Sequence, residues 1–376
     1  MFIEYFLSSV SQLGKTIISK YLNSEQNIIC SAYSAHSSMA LLNVGATGDV
    51  EKHFTKELTG QIISKNIKSD LNKFHKKCLD NFKNLQNTNK NANLFVNNFI
   101  IKRKDIKLYS KFESKVLKFY NMIYKEVVPT ENSINIINDF IREKTNGKIV
   151  NALSNLDPNF SLILINTIKF EGEWVIPFNL NETSKKEFIK SNGKEIFVDT
   201  MIVRNRFMFY EDEDFEIVKM YYLGMKFFML FILPKNNITI DHQVVKNISK
   251  KENLEKVFSS FKFKNLILCL PKFKFDNEID LTDIFFGANK NVLKDLKQIS
   301  SYIGLNINVK QRACIEIDEF KTEAKAITIT TVTDGGDFSK KRVVKFNKNF
   351  MFMLMHEIEE NSNIQIFSGV INDPSF

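Results

Sequence analysis

Between Glu319 and Phe338 the chain carries a segment that fits two different places. Thr322, Ala324, Ala326, Thr328, Thr330 and Val332 share one parity and are all small or β-branched, while Glu323, Lys325, Ile327, Ile329 and Thr331 share the other. One face of such a strand can enter a packed sheet. The same segment then runs into Asp334-Gly335-Gly336-Asp337, a flexible acidic turn at which a strand stops, so it can equally hang outside as a loop. A ribbon with two possible homes is the sequence signature of a switch.

The remainder of the chain has the means to build a large core. It has 376 residues, 44% hydrophobic, with 35 phenylalanines, which excludes a disordered chain. No Pro-, Gly- or Ser-rich linker and no repeat divides it, and the polar stretch 83–93 is short enough for a loop, so residues 1–376 are expected to form one domain. Helical spacing is predicted near 1–22, 34–44, 66–86, 105–118, 133–145 and 280–297. Strand-like runs fall near 94–101, 120–128, 161–170, 195–210, 215–221, 226–233, 265–275, 307–318, 350–356 and 364–371. Helices concentrate early and strands late, which predicts an α+β fold.

Several function classes are disfavoured by what the chain lacks. Met1 to Val10 places Glu4 inside an apolar run with no basic region before it, so it reads as an amphipathic first helix and not as a secretory signal. Apolar stretches fall short of the roughly 18 residues a membrane span needs, and a soluble cytoplasmic chain is expected. The sequons beginning at Asn159, Asn181, Asn237 and Asn247 matter only on a secretory route. Cys30, Cys78, Cys269 and Cys314 have no metal or redox spacing and are expected to be buried free thiols. The histidines His36, His53, His75, His242 and His356 belong to no catalytic signature, and His356 ends a core-like strand. Glu211 to Asp214 are consecutive, so their carboxylates cannot converge and an exposed turn is expected. The net charge of +9 raises a polyanion reading, but Asp70 and Asp80 interrupt the lysines at 65, 68, 73, 76, 77 and 83, which are expected to form a solvated helical face. No enzyme activity, metal, cofactor, nucleic acid or membrane partner is predicted.

Several ordered stretches carry a family resemblance. They are Asn27 to Ser34 with Leu41 to Gly48, Ile137 to Ile141 with the hexapeptide Lys144-Thr145-Asn146-Gly147-Lys148-Ile149, and Leu164 to Trp174 with Pro177-Phe178. Phe231 to Pro234, Leu270 to Phe273 and the closing Phe367 to Pro374 complete the series. Together they resemble the serpins, the serine-protease-inhibitor superfamily, over essentially the whole chain. In lacking a signal peptide and in its loop, the chain is closest in character to the intracellular poxvirus serpins of the cytokine response modifier A type. One departure is Ala32, where a proline is usual.

The resemblance implies three β-sheets, about eight or nine helices and an exposed reactive-centre loop over about 319–345. It also implies a monomeric protease inhibitor that acts as a suicide substrate. A protease attacks one loop bond, and the segment on the amino side inserts into the main sheet before hydrolysis finishes. The hinge and inserting segment would be Glu319, Thr322, Glu323, Ala324, Ala326 and Thr328, whose inward members are small and uncharged as burial demands. Lys321, in place of the usual glycine, and the bulky Ile327 depart from the pattern. The reactive bond is expected at Asp334-Gly335, with Thr331, Val332 and Thr333 before it setting specificity. This implies a caspase or granzyme B as target and a role against apoptosis or inflammation; cuts after Asp337, Lys340 or Lys341 remain alternatives. A sheet latch is expected from Ser31, Ser34, Asn166 and Gln311, the last replacing a usual histidine, so a latch without pH sensitivity is expected. Rival readings are a non-inhibitory serpin binding module, and an inhibitor of a trypsin-like protease with polyanion binding along the lysine-rich helix.

Overall fold

A computed structural model of the protein describes residues 2–22, 25–60, 66–88, 91–235, 240–248, 251–287, 295–302, 304–320, 341–360 and 362–375. The first helix, α1 (Phe2–Tyr21), forms as expected. Its Phe6, Val10, Leu13 and Ile17 recur at spacings of three and four and are all buried, so a single stripe faces the core. It packs against α2 (Ala32–Asn43), all of whose residues are buried. Next come α3 (Gly48–Thr59), α4 (Ile67–Thr88), α5 (Ser110–Tyr120) and α6 (Ser133–Lys144). The shorter α7 (His242–Ile248), α8 (Lys251–Ser260) and α9 (Thr282–Phe286) follow.

The expected elements stand, with three physical refinements. Helices α3, α7 and α8 were not anticipated; in α3 only Val50, Phe54 and Leu58 give an inward stripe, and the polar remainder hides the period. The helix expected over 105–118 begins at Ser110, and of that expected over 280–297 the structure describes the turn-length α9, which stops at Gly287 in a left-handed conformation (φ 65°). The strand expected over 265–275 is two strands. Pro271 is the last residue of β9 (Lys262–Pro271), the Lys272 N–H still donates to the Asp199 carbonyl at 2.8 Å, and Phe273 opens β10 (Phe273–Asp280) in a different sheet.

One sheet has five strands in the order β10, β11 (Ile307–Ile317), β4 (Leu162–Gly172), β2 (Ala92–Arg103) and β3 (Met122–Val127). Its β11/β4 and β2/β3 pairs are parallel and the others antiparallel. A second sheet has nine strands along the path β1 (Ile28–Cys30), β14 (Ser362–Ile371), β13 (Phe350–Glu359), β8 (Phe227–Pro234), β7 (Phe215–Tyr221), β6 (Glu195–Glu211), β9 and β12 (Arg342–Lys345), with β5 (Ser184–Ile189) also on β6. Three sheets were expected, but the described strands join into two, because β6 carries the pairing from β5 and β9 on to β7. The 17-residue β6 pairs with β5 and β9 over most of its length and reaches β7 through its last four residues.

Strands buried on both faces read as unbroken apolar runs. Every residue of β8 is buried, as are Phe350 to His356 of β13. In the neighbouring β14, Gly369 is required by contact, because a Cβ there would lie 2.5 Å from the Phe352 ring and 2.8 Å from the Ile28 carbonyl. Helix α6 lies on the five-stranded sheet, its Ile137 and Ile141 in a core shared with Phe99, Ile101, Ile163 and Ile165. Asn146 (φ 52°) and Gly147 (φ 75°) then turn the chain out in left-handed conformations, accounting for the hexapeptide at the helix exit.

Between α1, α2 and α4 lies a buried polar chain. Ser9 Oγ meets His36 Nε2 at 3.0 Å, and His36 Nδ1 meets His75 Nε2 at 3.0 Å, with no exposure at either ring. Burial pushes the His36 imidazole down to about 4 and holds His75 well below its ordinary value, His36 lowering it further. A folded value below the unfolded one means that the unfolded chain binds more protons between about pH 4 and 6.5. The neutral pair is therefore favourable above pH 6.5, and that stability is lost as pH falls through about 4. His36→Leu is expected to shrink the loss of unfolding free energy between pH 7 and 4.5 by about 2 kcal/mol, read from urea unfolding at both pH values. An unchanged pH dependence would contradict this account.

Candidate functional site

The site is a seam. Strands β4 and β11 are direct parallel neighbours from Leu162/Ile307 to Lys169/Cys314. Chain leaving the end of β11 and doubling back along it would run antiparallel to β11, and hence antiparallel to β4 as well. Both seam edges can therefore pair with one returning strand. At the middle of the seam Asn166 faces Gln311 in register.

Helix α2 holds both sides of this seam through its first turn. Ser31 is its N-cap, in extended conformation, with Oγ accepting from the Ser34 N–H at 3.2 Å. The Ser31 N–H donates to Gln311 Oε1 at 2.8 Å, and Gln311 Nε2 donates to the Ser31 carbonyl at 3.0 Å. The amide thus imitates a backbone rung between helix and strand. Ser34 Oγ donates to Asn166 Oδ1, and Asn166 Nδ2 donates to Asn98 Oδ1 at 2.7 Å. Ser31 Oγ also donates to the Ile366 carbonyl of β14, joining the seam to the second sheet. Ser31, Ser34, Asn98, Asn166 and Gln311 are each at most 1% exposed. Every side chain in this cluster is an amide or hydroxyl, so none of them titrates near neutral pH. Ala32 occupies the first helical position, the place where a proline is tolerated because its N–H has no helical partner.

The structure therefore brings the four sequence-predicted latch residues together. It adds Asn98, whose Nδ2 donates to the Tyr120 carbonyl at 2.9 Å. The available signal was a polar amide within the apolar run Leu94 to Ile101.

The upper end of β11 is anchored by buried polar contacts. Glu319 is 3% exposed, pairs with Lys272 at 2.9 Å and accepts from Thr183 Oγ1 at 2.6 Å. Burial pushes its carboxyl up, but the bonds from Thr183 and Lys272 outweigh this and hold it below the ordinary value. The Glu319 carbonyl accepts from the Phe178 N–H at 3.1 Å, and Trp174 Nε1 donates to the Asp318 carbonyl at 3.0 Å. Trp174 itself stacks on Tyr222 with centroids 4.1 Å apart. Lys272 lies in the Leu270 to Phe273 stretch, yet nothing in the sequence paired it with Glu319. Thr322, Glu323, Ala324, Ala326, Thr328, Thr331, Val332, Thr333, Asp334 and Gly335 lie outside the described residues, as do Lys321, Ile327, Asp337 and Lys340.

The other chemistry-bearing groups are structural. Cys30, Cys78, Cys269 and Cys314 are free and buried, and burial raises the Cys30 thiol to about 12. His356 stacks on Phe227 at 4.4 Å and is pushed by burial to about 4. Asp212 Oδ1 accepts from the Asp214 and Phe215 N–H groups at 3.0 and 2.8 Å, so this acidic stretch builds a turn. Along α4, Lys68 pairs with Glu51, Lys73 with Asp70, Lys76 with Asp80 and Lys77 with Glu359, while Lys65 lies outside the described residues. Among the described residues, no group of three or more His, Cys, Asp or Glu side chains is placed to hold a metal, and no helix is long and apolar enough to cross a membrane.

Comparison with known proteins places this geometry in a family. An uncharacterized serpin-like protein of Fowlpox virus (strain NVSL) is 32% identical over 293 residues, covering 75% of this chain and 78% of the relative. Human protein Z-dependent protease inhibitor is 25% identical, covering 99% of this chain and 83% of its own. The crystal structure of the thermophilic serpin tengpin in the native state superposes with a TM-score of 0.86 at 22% identity, covering 98% of this chain and 94% of tengpin, and shows the same fold. Residues 8–374 match the serpin (serine protease inhibitor) family, and with the seam and the anchored β11 end the conclusion is that the chain belongs to that family.

Proposed function

We propose that this protein is an inhibitory serpin that uses Asp334-Gly335 as bait for an aspartate-requiring protease, a caspase or granzyme B, and acts as a monomer in the cytoplasm of a host cell to restrain apoptosis or inflammation. The observation that carries the reading is the direct parallel pairing of β4 with β11, with Glu319 anchored at the point where the chain leaves β11. The small, uncharged parity Thr322, Ala324, Ala326 and Thr328 supplies a strand suited to enter that seam, because a charged side chain there would be buried without a partner. Insertion of about a dozen residues adds ladder hydrogen bonds at roughly 0.5–1.5 kcal/mol net each and buries apolar area at about 25 cal/mol per Å², on the order of 10 kcal/mol. That rivals the whole stability of a typical domain, so the uncut state persists kinetically.

The aspartate preference rests on Asp334 lying twelve residues beyond Thr322, with a small residue after it. A pocket that recognises a carboxylate through a fixed positive charge rejects neutral side chains strongly. Similarity to a poxvirus protein supports the viral setting. The polyanion reading is the weaker one, since four lysines of α4 already have acidic partners.

Incubation with granzyme B, caspase-1, caspase-8 and trypsin, followed by mass spectrometry, is expected to find the cut after Asp334 and a denaturation-resistant adduct with granzyme B. The nicked protein is expected to melt on the order of 20 °C above the intact one, following the stored free energy. A nicked form as labile as the intact chain rejects the trap, and a cut only after Lys340 or Lys341 rejects the aspartate assignment. Ala324→Arg is expected to turn the inhibitor into a cleaved substrate without changing where it is cut.

Two further outcomes concern the latch. Asn166→Ala strands Ser34 and Asn98 in the core and is expected to destabilise the uncut protein by about 2–3 kcal/mol, measured by urea unfolding. Because Gln311 does not titrate, the inhibition rate corrected for the protease's own pH profile is expected to be flat between pH 5.5 and 7.5. Gln311→His is expected to introduce a slope in that window. A sloped wild type would place the controlling group elsewhere.

A further inference from the structure

A cleft of about 340 Å³ lies at the start of α5, away from the seam, lined by Val44, Tyr109, Phe112, Lys111, Lys115 and Lys297 among others. We infer that this cleft is a binding site for a small organic phosphate, its dianionic end held by the three ammonium groups and its apolar part by Phe112, Tyr109 and Val44. Lys111 and Lys115 are one turn apart on α5, and Lys297 comes from the segment facing it. None of the three has a carboxylate in ion-pair range among the described residues.

The second large cleft, beside α4, makes the contrast. Its Lys73, Lys76 and Lys77 pair with Asp70, Asp80 and Glu359. There the protein supplies its own counter-charge. The α5 cleft is instead lined by three like charges without such partners, and an anion bound there would supply the missing counter-charge.

The walls are fixed by packing. Tyr109 N–H donates to the Ile299 carbonyl at 2.9 Å, and Gln298 N–H donates to the Gly45 carbonyl at 3.1 Å. A Cβ at Gly45 would lie 2.2 Å from Ile299 Cγ1, so the segment bearing Lys297 lies tight against the end of α2. Phe112 and Val44 are buried, while Tyr109 is 44% exposed and gives a ring at the rim. A lining that combines cations with the Phe112 and Tyr109 rings favours a phosphate ester over a bare inorganic ion.

Isothermal titration calorimetry of the intact protein at low salt tests this with inorganic phosphate, phenyl phosphate and phenyl sulfate as probes. Phenyl phosphate is expected to bind saturably and about tenfold more tightly than inorganic phosphate, and more tightly than the singly charged phenyl sulfate. The surface variant K111Q/K115Q/K297Q is expected to weaken phenyl phosphate at least about thirtyfold, with Lys297→Arg retaining it and K73Q/K76Q/K77Q leaving it unchanged. Unchanged far-ultraviolet circular dichroism establishes that each variant is folded. The inference is overturned by absence of saturable phenyl phosphate binding up to about 10 mM, by equal loss in the α4 variant, by survival in the α5 variant, or by tighter binding of phenyl sulfate.

Discussion

The fold depends on one shared set of hydrogen bonds, those by which the first turn of α2 reaches across to the central strands. Ser31 binds Gln311 of β11 twice, and Ser34 binds Asn166 of β4. These are neutral groups in a dry environment, where a satisfied bond is strong and an orphaned one is costly. Breaking any one of these bonds would leave a buried partner unsatisfied. Such contacts hold a seam more firmly than a solvent-exposed ion pair would.

The elements around the seam carry consistent constraints. Ser31 reaches β14 as well as β11, so displacement of α2 would disturb both sheets. Helix α6 covers β2 and β4, and Lys148 after its exit pairs with Glu171 at the far end of β4 at 3.1 Å. Glu319 and Trp174 fix the upper end of β11. A strand entering between β4 and β11 would have to break the Asn166 and Gln311 contacts in passing. In the proposed insertion the barrier and the reward would therefore lie along the same line, as kinetic persistence of an uncut state requires.

The apolar framework was legible because periodicity reports burial directly. The stripe of α1, the unbroken runs of β8 and β13 and the helical spacing of α4 and α6 all stand where their patterns put them. Helix α3 was hidden, since three inward residues in twelve are too few to set a period. The 265–275 run concealed a change of sheet because both halves are apolar and the switch falls within two residues, between Pro271 and Phe273. At the site, motif resemblance identified Ser31, Ser34, Asn166 and Gln311, but neither Asn98 nor Lys272 stood out as a partner.

By itself the sequence determined an α+β chain with a large core, four thiols without metal spacing, a serpin-like order of motifs and a ribbon whose small-residue parity suits a sheet. These are properties of residue type and spacing, which local chemistry fixes. Only the tertiary structure decided that β4 lies directly against β11, that Glu319 meets Lys272 and Thr183, and that Lys297 and Val44 share one cleft with Tyr109, Lys111, Phe112 and Lys115. Those facts depend on which surfaces meet after the chain has crossed from sheet to sheet, and contact between residues far apart in sequence leaves no trace in the local pattern of either.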